Sequence, residues 1–484
     1  MVTITVKTLY GFEDILEQEI QALGYSNTVQ LNRAVQLKGK WKDVYRLNYL
    51  CRLAISVLVE VDHFKINEAD DLYKKVKRID WTSYFEKDKT FAVKGAVFST
   101  LFNHSQYPYL VVKDAIADVF RDKTGDRPDV NIKSPQVLVD IYIKEKEVTL
   151  SLNTSGVPLF QRGYRQETGE APMNEVLAAG LLKLSGWDGN STFIDPMCGS
   201  GTLAIEAALM AADIPSMVER THFAFKNFSS FNSDEWEEVL ASSNRKPKKL
   251  DFPIIAADAD AEVLQKAKRN SKSAPIGNMI EFRLSDFKTL EIPEGGGTLI
   301  CNPPYGERMG EEIEILYESL GDFFKQKMNG FSCWIISSNL EAMKFVGLKP
   351  NQKDKVFNGN LECSFRKFDI FEGSKKVRTR SKTDNVSNDP DDTATVAEKP
   401  VRKSRVKPTE KKEINYKKVS SSYVARRRED EIEVEQQKEE KKTERTPRTA
   451  EKPIEKPAEK PADKPILTNN KEKLDKLRKY RQRD

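Results

Sequence analysis

The sequence predicts an α/β protein in which two small α+β units precede a parallel, doubly wound sheet, and a long charged tail follows it. Three observations predict this order. Strands and amphipathic helices are mixed over residues 1 to 158, whereas strands and helices alternate regularly from about residue 171 to 372. Regular alternation is typical of parallel α/β sheets. From residue 373 onward Lys, Arg, Glu, Ser, Thr and Pro dominate.

The composition agrees with a folded part and an unpacked part. The chain has 484 residues, of which 38% are hydrophobic and 32% are charged. A length of this order can form several domains, but so high a charged share indicates that part of the chain never packs. The net charge of +5 is compatible with an acidic partner without requiring one.

The residue types that bind metals are sparse. The five cysteines form no C-x-x-C pair and the three histidines have no ligand spacing. We therefore expect buried free thiols in a reducing compartment and no metal site. The first residues lack the pattern of a signal peptide, and no window reaches the roughly 20 apolar residues that a membrane helix needs. The expected location is the cytoplasm, without a membrane partner.

The N-terminal region divides into two α+β units, residues 1–55 and 56–158. The first unit reads as the strand "VTITVKTLY", the helix "EDILEQEIQALG", a further strand and the helix "WKDVYRLNYLCRLA". In the second unit, the helix "YLVVKDAIADVFRDKTG" carries one apolar stripe at helical spacing. The strands "VLVDIYIK" and "EVTLSLNTSG" close this unit, and a connector over residues 159–170 follows.

Five segments between residues 171 and 372 are the expected strands of the parallel sheet: "TFID", "FPIIAAD", "IEFRLSD", "GTLICN" and "SCWIISSN". Helices are expected to begin near Thr202, Ala261 and Ile313. "DKVFNGNLECSFRKF" predicts a final hairpin that turns at Asn358 and Gly359. The tail, residues 373–484, contains a degenerate EKP repeat and is predicted to be disordered, because it cannot bury enough apolar surface to offset its ordering entropy.

Three acidic residues follow successive strands of this sheet. Asp195 precedes a Gly-rich turn and an amphipathic helix in "STFIDPMCGSGTLAIEAALMAA", while Asp258 and Asp286 end the next two strands. Glycines let the backbone approach a ligand closely, and an acid after the second strand is well placed for two ribose hydroxyls. Three carboxylates suit a neutral or cationic nucleoside better than a diphosphate, and no G-x-G-x-x-G run is present. S-adenosyl-L-methionine fits these requirements.

A fourth strand, "GTLICN", ends in two consecutive prolines, within "LICNPPYGERMG". Together with "DPMCGSGT", this motif resembles the THUMP-domain class I RNA methyltransferases, and most of all the bacterial 23S rRNA guanine-N2 methyltransferases. The resemblance covers roughly residues 1 to 372. "LSLNTSGVPLFQRGYR" resembles the segment between the THUMP and catalytic domains, with Asn153 where the family usually has Asp.

The resemblance implies an N-terminal ferredoxin-like subdomain (1–55), a THUMP RNA-binding domain (56–158), a linker (159–170) and a Rossmann-like methyltransferase domain (171–372). It also implies the residues of the cofactor site. Asp195, Cys198, Gly199 and Gly201 would line the methionine end, Asp258 would hold the ribose and Asp286 the adenine.

The catalytic residues implied by the resemblance are Asn302, Pro303, Pro304 and Tyr305. The Asn302 side-chain oxygen and the Pro303 carbonyl would each accept an N–H of an exocyclic amine, so that the nitrogen lone pair turns toward the sulfonium methyl. The paired prolines would stiffen the corner at no cost in ladder hydrogen bonds, because the strand has ended. Tyr305 would stack on the base.

RNA is the implied partner, with 23S rRNA favoured over tRNA. Arg162, Tyr164 and Arg165 in the connector "LFQRGYRQE" have the side chains that suit phosphate and base contact, although a solvated linker is an alternative. No second Gly-rich motif follows residue 372, so a single activity is expected. Other readings are a tRNA guanine-N2 methyltransferase, an adenine-N6 methyltransferase, and a non-catalytic ribosome-assembly factor, against which the intact Asn302 and Tyr305 argue.

Overall fold

Two seven-stranded sheets organise the protein. The structure is a computed structural model and describes residues 1–166, 173–305 and 310–370. The predicted disordered tail, residues 373–484, lies outside the described residues. So do four residues of the predicted linker, 167–170, and the segment 306–309 that follows the Pro-Pro motif.

The first sheet has the strand order β2-β3-β1-β4-β7-β6-β5, in which β5 and β6 are parallel and the other neighbours antiparallel. Its elements are β1 (Val2–Lys7), α1 (Glu13–Ala22), β2 (Thr28–Leu31), β3 (Ala34–Gly39), α2 (Trp41–Leu50), β4 (Ser56–Lys65), α3 (Ala69–Val76), β5 (Phe91–Phe98), α4 (Tyr107–Thr124), β6 (Val137–Lys144) and β7 (Glu147–Asn153).

The alternation of side chains explains why one face of this sheet is buried. In β6, Val137, Val139, Ile141 and Ile143 are fully buried, and the intervening residues are exposed or half-buried. Successive strand residues point to opposite faces, so this pattern gives one apolar face. The stripe of α4 that the sequence predicts is buried as well.

The two predicted N-terminal units share this one sheet. β4 pairs with β1 of the first unit and with β7 of the second, both antiparallel. The register of β4 with β7 shifts between Glu60 and Asp62, where the strand passes from one unit to the other. The two units are therefore joined by backbone hydrogen bonds across a common strand.

The second sheet has the order β10-β9-β8-β11-β12-β14-β13. Its elements are α5 (Glu175–Leu184), β8 (Phe193–Asp195), α6 (Thr202–Ala211), α7 (Ser233–Ser243), β9 (Ile254–Asp258), α8 (Ala261–Ser273), β10 (Ile280–Leu284), β11 (Gly297–Cys301), α9 (Gly310–Lys327), β12 (Phe331–Ser337), α10 (Ala342–Phe345), β13 (Gln352–Asn358) and β14 (Leu361–Asp369). The predicted α/β fold class is confirmed. The five expected strands are β8 to β12, all parallel, and the hairpin turns between Asn358 and Leu361.

The N-terminal subdomain packs closely on α5 through Phe12. A Cβ atom placed on Gly180 of α5 would lie 1.9 Å from Phe12 Cε2, so only glycine allows this approach. Asn153, at the end of β7, accepts hydrogen bonds on Oδ1 from the amides of Ser155 and Gly156 (3.0 and 3.1 Å). The Asn153 oxygen thus accepts the two amide hydrogen bonds that stabilise the turn into the connector, and an aspartate oxygen could accept them equally.

Within the described residues, no helix is long and apolar enough to cross a membrane.

Candidate active site

The carboxyl ends of β10, β9, β8 and β11 lie side by side, because these strands are neighbours and parallel. The register staggers the acids: Asp195 is opposite Ala256, and Asp258 is opposite Leu284. On each neighbouring strand, the next acid, Asp258 or Asp286, thus follows two residues after the residue that pairs with the previous acid. This edge of an open α/β sheet is where ligands bind in such folds. The structure therefore brings the three predicted acids to one edge.

Asp195 is a buried carboxylate with little compensation. It is 1% exposed, and it accepts one long hydrogen bond, from the amide of Met197 at 3.4 Å. Loss of solvent raises the pKa of Asp195 from 3.8 to about 8, and the nearby charge of Asp258 acts in the same direction. A buried carboxylate of this kind is stabilised by a cationic partner.

The Gly-rich turn is held by hydrogen bonds to β9. Gly199 donates its amide to Asp258 Oδ2 at 2.9 Å, and the Cys198 amide donates to the Ala257 carbonyl at 2.9 Å. Gly199 has φ +55°, and nothing lies within 4 Å of the position where its Cβ would be. Gly201 has φ +84° and caps α6 without a side-chain hydrogen bond. The turn is therefore bent by left-handed glycines and leaves open space beside Gly199.

Asp258 and Asp286 remain accessible to a ligand. Asp258 is half-buried and accepts the Asp260 amide on Oδ1 at 3.0 Å, in addition to the Gly199 amide on Oδ2. Asp286 is exposed and accepts the Lys288 amide on Oδ1 at 2.8 Å. A carboxylate has about four acceptor sites, so each side chain can still accept donors from a nucleoside.

These residues fit S-adenosyl-L-methionine. The carboxylate of Asp195 suits the cationic end, and the α6 N-terminus, which has no side-chain cap, suits the ligand's own carboxylate. Asp258 and Asp286 are placed in sequence for ribose hydroxyls and an adenine amine. When bound, this cofactor supplies a methyl group activated by a sulfonium.

The Pro-Pro motif forms a corner beyond β11, on the side of β8 away from β9. Asn302 is half-buried, Pro303 is buried and Pro304 is exposed. The Tyr305 hydroxyl donates to Asn302 Oδ1 at 2.9 Å. The oxygen expected to accept a substrate amine therefore already accepts a phenol in this conformation.

Neighbouring elements hold Tyr305 in this position. Asn339, just beyond β12, donates from Nδ2 to the Tyr305 carbonyl at 3.0 Å. From the hairpin, Asn358 Nδ2 lies 3.4 Å and Cys363 Sγ 3.9 Å from the Tyr305 hydroxyl. Burial raises the pKa of Tyr305 well above its usual range, so the phenol keeps its proton and remains a donor.

The prediction of an RNA contact is wrong for Arg162 and Tyr164. They are 1% and 2% exposed. Arg162 pairs with Glu206 of α6, with Nε 3.2 Å from Oε1, and the Tyr164 hydroxyl donates to the same oxygen at 3.0 Å. Because both side chains are enclosed and paired, they join the connector to α6 and cannot reach a phosphate.

Arg165 is half-buried and contacts the residues that begin α5 and α6. Its guanidinium donates to Glu175 (2.8 Å), the Met173 carbonyl (2.9 Å), Thr202 (3.0 Å) and Ser200 (3.3 Å). These partners belong to the start of α5 and of α6 or precede them directly. Arg165 therefore positions the Gly-rich turn from within the protein, which also explains why it is not free for a phosphate.

Two functional contacts were missed from the sequence, although each has a local indication. Glu206 is the one charged residue within the apolar helix segment "TLAIEAALMA". A carboxylate buried in such a helix is usually paired with a cation or another donor, so this pattern predicts a buried partner for Glu206. Asn339 follows a strand end in "SCWIISSN", as the predicted site residues follow theirs.

Three family models match the chain: an RlmL ferredoxin-like domain over residues 3–58, a THUMP domain over 67–153, and an RMKL-like methyltransferase domain over 162–367. A Synechocystis relative with a provisional RNA methyltransferase name is 34% identical over 364 residues, which are 75% of this chain and 95% of that protein. The chain belongs to the RMKL-like family of THUMP-domain methyltransferases.

Other members extend well beyond the part that matches. The ribosomal RNA large subunit methyltransferase K/L of Shewanella frigidimarina is 36% identical over 373 residues, which are 76% of this chain and 52% of that protein. The chain thus spans about half the length of the K/L relatives it matches. A crystal structure of SMU.472, a provisionally named methyltransferase complexed with SAH, shares the fold with TM-score 0.69, at 24% identity over 77% of this chain and 99% of that one.

Membership in the RMKL-like family confirms S-adenosyl-L-methionine as the cofactor. It also confirms the predicted arrangement of ferredoxin-like, THUMP and Rossmann-like folds. In residues 1–166, 173–305 and 310–370, no group of three or more His, Cys, Asp or Glu side chains could hold a metal ion.

Proposed function

We propose that this RMKL-like methyltransferase transfers a methyl group from S-adenosyl-L-methionine to the exocyclic N2 of a guanine in 23S rRNA. The observation that carries the proposal is the position of Asn302. It lies one residue beyond β11, and β11 pairs directly with β8, whose last residue is the buried Asp195. The amide of Asn302 and the carboxylate that suits the cofactor's cationic end therefore lie at adjacent strand ends. The name of the Shewanella relative supports rRNA as the substrate class.

The chemistry proposed for the corner is orientation of a weak nucleophile. An aromatic amine delocalises its lone pair into the ring. Acceptance of its two N–H groups by Asn302 Oδ1 and the Pro303 carbonyl would draw the nitrogen toward a pyramidal geometry. The two prolines fix the backbone from which both acceptors project. Orientation and proximity can supply a large share of a barrier reduction, and this mechanism requires no strong general base.

Tyr305 has two roles in this proposal. Its hydroxyl donates to Asn302 Oδ1 when no base is present. When a base binds, this hydrogen bond breaks and the Tyr305 ring stacks on the base. Stacking on an aromatic side chain contributes about 1–3 kcal/mol per base, which offsets much of the few kcal/mol spent on extruding the base. The exchange also keeps a half-buried acceptor satisfied in both states.

Nucleoside mass spectrometry tests the proposed substrate. Large-subunit rRNA and tRNA would be digested from cells with and without the gene, and from cells complemented with wild type or Asn302→Ala. Loss of N2-methylguanosine from large-subunit rRNA, restored only by the wild type, is the expected result.

The other outcomes name the alternatives. Loss of N2-methylguanosine from tRNA alone would show that the substrate is tRNA. Loss of N6-methyladenosine would show that the methylated base is adenine. An unchanged nucleoside content in both RNA classes would refute the proposed activity and favour a ribosome-assembly role. Incubation of the purified chain with rRNA from the deletion strain and radiolabelled cofactor gives the same comparison without other cellular enzymes.

A further inference from the structure

An exposed aromatic and cationic cluster lies where the N-terminal subdomain meets the hairpin beside the catalytic corner. We define it by Tyr10, Arg33 and Phe357. The Arg33 guanidinium carbon lies 5.9 Å from the Tyr10 ring centroid, and the rings of Tyr10 and Phe357 meet edge to face at 5.6 Å. Tyr10 is 42% exposed, and Arg33 is exposed as well.

The cluster is connected to the catalytic corner through the hairpin. Phe357 is the neighbour of Asn358, and the Asn358 side chain lies 3.4 Å from the Tyr305 hydroxyl. Successive strand residues point to opposite faces, so the Phe357 and Asn358 side chains leave β13 on opposite faces, and the cluster adjoins the corner through the hairpin backbone, one residue along the strand. The subdomain also approaches closely here: a Cβ on Gly11 would lie 3.3 Å from the Lys355 carbonyl oxygen.

Arg33 has a backbone conformation that its residue type disfavours. It is the second residue of the two-residue turn between β2 and β3 and has φ +58°. Turns with positive φ at this position favour Gly or Asn, since a Cβ atom there crowds the backbone and only a short polar side chain such as that of Asn offsets this cost locally. Arg33 therefore occupies a position that glycine or asparagine would adopt more easily.

The turn is held rigidly in spite of this strain. The Glu13 carboxylate accepts the Arg33 amide on Oε1 and the Gly11 amide on Oε2, both at 2.8 Å. The Arg33 carbonyl accepts the Thr8 amide at 2.8 Å. These bonds fix the turn that carries Arg33 and the turn that carries Tyr10 to one another. The guanidinium is free of ion pairs with carboxylates among the residues that the structure describes.

We propose that this cluster binds the RNA strand beside the target guanine, with Arg33 on a backbone phosphate and the Tyr10 ring on the adjacent nucleotide. The proposal rests on the proposed function, because it takes RNA as the substrate of the neighbouring corner. A guanidinium over an aromatic ring, exposed and unpaired with acids, matches the charge of a phosphodiester and the flat face of a base. The N-terminal subdomain thereby helps to present the substrate, whereas the connector's Arg162 is buried and its Arg165 is bonded to Glu175.

The test compares Arg33→Gly with Arg33→Lys. Glycine relieves the positive φ, so Arg33→Gly is expected to be at least as stable as the wild type to heat. Its affinity for large-subunit rRNA from the deletion strain is expected to fall several-fold, and the slope of log affinity against log salt to decrease by about 0.7, the value for one single-strand phosphate contact. Arg33→Lys keeps the charge and is expected to retain most of the slope.

Tyr10→Ala and Tyr10→Phe provide a second pair. Loss of the ring is expected to weaken rRNA binding roughly 5- to 160-fold, whereas phenylalanine retains the stacking surface and the affinity. Lys246→Ala serves as the charge control, since Lys246 is exposed in the segment that leads into the amino end of β9, at the opposite edge of the sheet. For all cluster variants, KM for rRNA should rise while kcat at saturating rRNA stays within about twofold of wild type.

The outcomes separate this inference from the proposed function. If Arg33→Gly and Tyr10→Ala bind rRNA with the same affinity and salt slope as Lys246→Ala, the inference is wrong even though methyl transfer persists. If the wild type binds rRNA without methylating it, the proposed function is wrong. The affinities of Arg33→Gly and Tyr10→Ala relative to Lys246→Ala still show whether the cluster binds RNA. A wild type that binds no rRNA refutes both.

Discussion

The Tyr305 hydroxyl donates a 2.9 Å hydrogen bond to Asn302 Oδ1, so these two side chains of the corner beyond β11 are bonded to each other. An asparagine oxygen has two lone pairs, and one of them already accepts the Tyr305 hydroxyl, so fewer remain to accept an N–H of an incoming amine. The same bond keeps the corner ordered, because Asn339 and Asn358 fix Tyr305 from two further elements. Substrate binding and release of this bond are therefore coupled in the proposed mechanism.

Tyr305→Phe and Tyr305→Ala separate the hydroxyl from the ring. Phenylalanine frees Asn302 Oδ1 and keeps the stacking surface, so KM for rRNA is expected to stay equal or to fall. Alanine loses the stacking contact, about 1–3 kcal/mol, and kcat/KM should decrease correspondingly, by roughly 5- to 160-fold. Steady-state methylation of rRNA from the deletion strain measures both. A phenylalanine variant as impaired as the alanine variant would show that the hydroxyl itself acts in catalysis.

Asn302→Ala removes one of the two proposed acceptors of the amine. Methyl transfer is expected to fall by about a hundredfold or more, by analogy with the loss of one preorganised hydrogen-bonding group in other enzymes. Asn302→Asp is the matched variant, because it keeps an oxygen acceptor at the same place and should retain measurable activity. Calorimetric binding of S-adenosyl-L-methionine should be unchanged within about twofold in both. Normal turnover by Asn302→Ala would refute the mechanism.

The raised pKa of Asp195 predicts how cofactor affinity depends on pH. Since the carboxyl holds its proton up to about pH 8, it is mostly neutral at pH 6 and cannot pair with a cation. Affinity for S-adenosyl-L-methionine should therefore rise between pH 6 and 8, by at most about tenfold per pH unit. Asp195→Asn should bind weakly and without this slope. A wild-type affinity that is constant over this range would contradict the expected role.

The same group predicts the pH dependence of stability without ligand. The unfolded carboxyl loses its proton near its usual pKa of 3.8, whereas the folded one keeps it to about pH 8. The folded state thus binds the extra proton between these values, and this group disfavours folding increasingly as the pH rises from 4 to 8. Asp195→Asn should consequently raise Tm relative to wild type more at pH 8 than at pH 5. Differential scanning calorimetry at both pH values makes the comparison.

The sequence was sufficient for features that depend on local pattern. The strands β8 to β12 were predictable because apolar runs of strand length end in polar residues and alternate with helices. The acids at Asp195, Asp258 and Asp286 could be assigned to one edge because parallel neighbours end together. The hairpin at Asn358 followed from an Asn-Gly turn between apolar segments.

Features that depend on tertiary partners were not predictable in the same way. Arg162, Tyr164 and Arg165 have side chains that suit RNA, and only the fold shows that Glu206 and Glu175 lie against them. A charged side chain looks alike in sequence whether it is solvated or paired in the interior. Likewise, the bond between Tyr305 and Asn302 depends on a rotamer that three separate elements determine.

The buried pair of Arg162 and Glu206 predicts a large asymmetry between single and double variants. Both side chains are enclosed. Glu206→Ala leaves the Arg162 charge unpaired and removes the acceptor of Tyr164, so unfolding free energy should fall by about 3–5 kcal/mol. The double variant Arg162→Met with Glu206→Leu removes both charges of this pair and should recover part of this loss, since the buried Arg52 guanidinium still loses the charge of Glu206. Urea denaturation of Glu206→Ala and of the double variant measures the difference in their unfolding free energies. Equal losses would show that the unpaired charge does not cause the destabilisation.

Gly180→Ala tests the close packing of the N-terminal subdomain on α5. In an exposed helix this change stabilises by about 1 kcal/mol, because alanine has the higher helix propensity. Here the new methyl would overlap the Phe12 ring, which lies 1.9 Å from the Cβ position, so we expect a net destabilisation of about 1–3 kcal/mol in urea denaturation. Phe12→Leu alone should also destabilise, since it leaves a cavity. Combined with Gly180→Ala it should cost less than the sum, because the smaller side chain leaves room for the methyl. Additive losses would show that Phe12 and Gly180 are not in contact in solution.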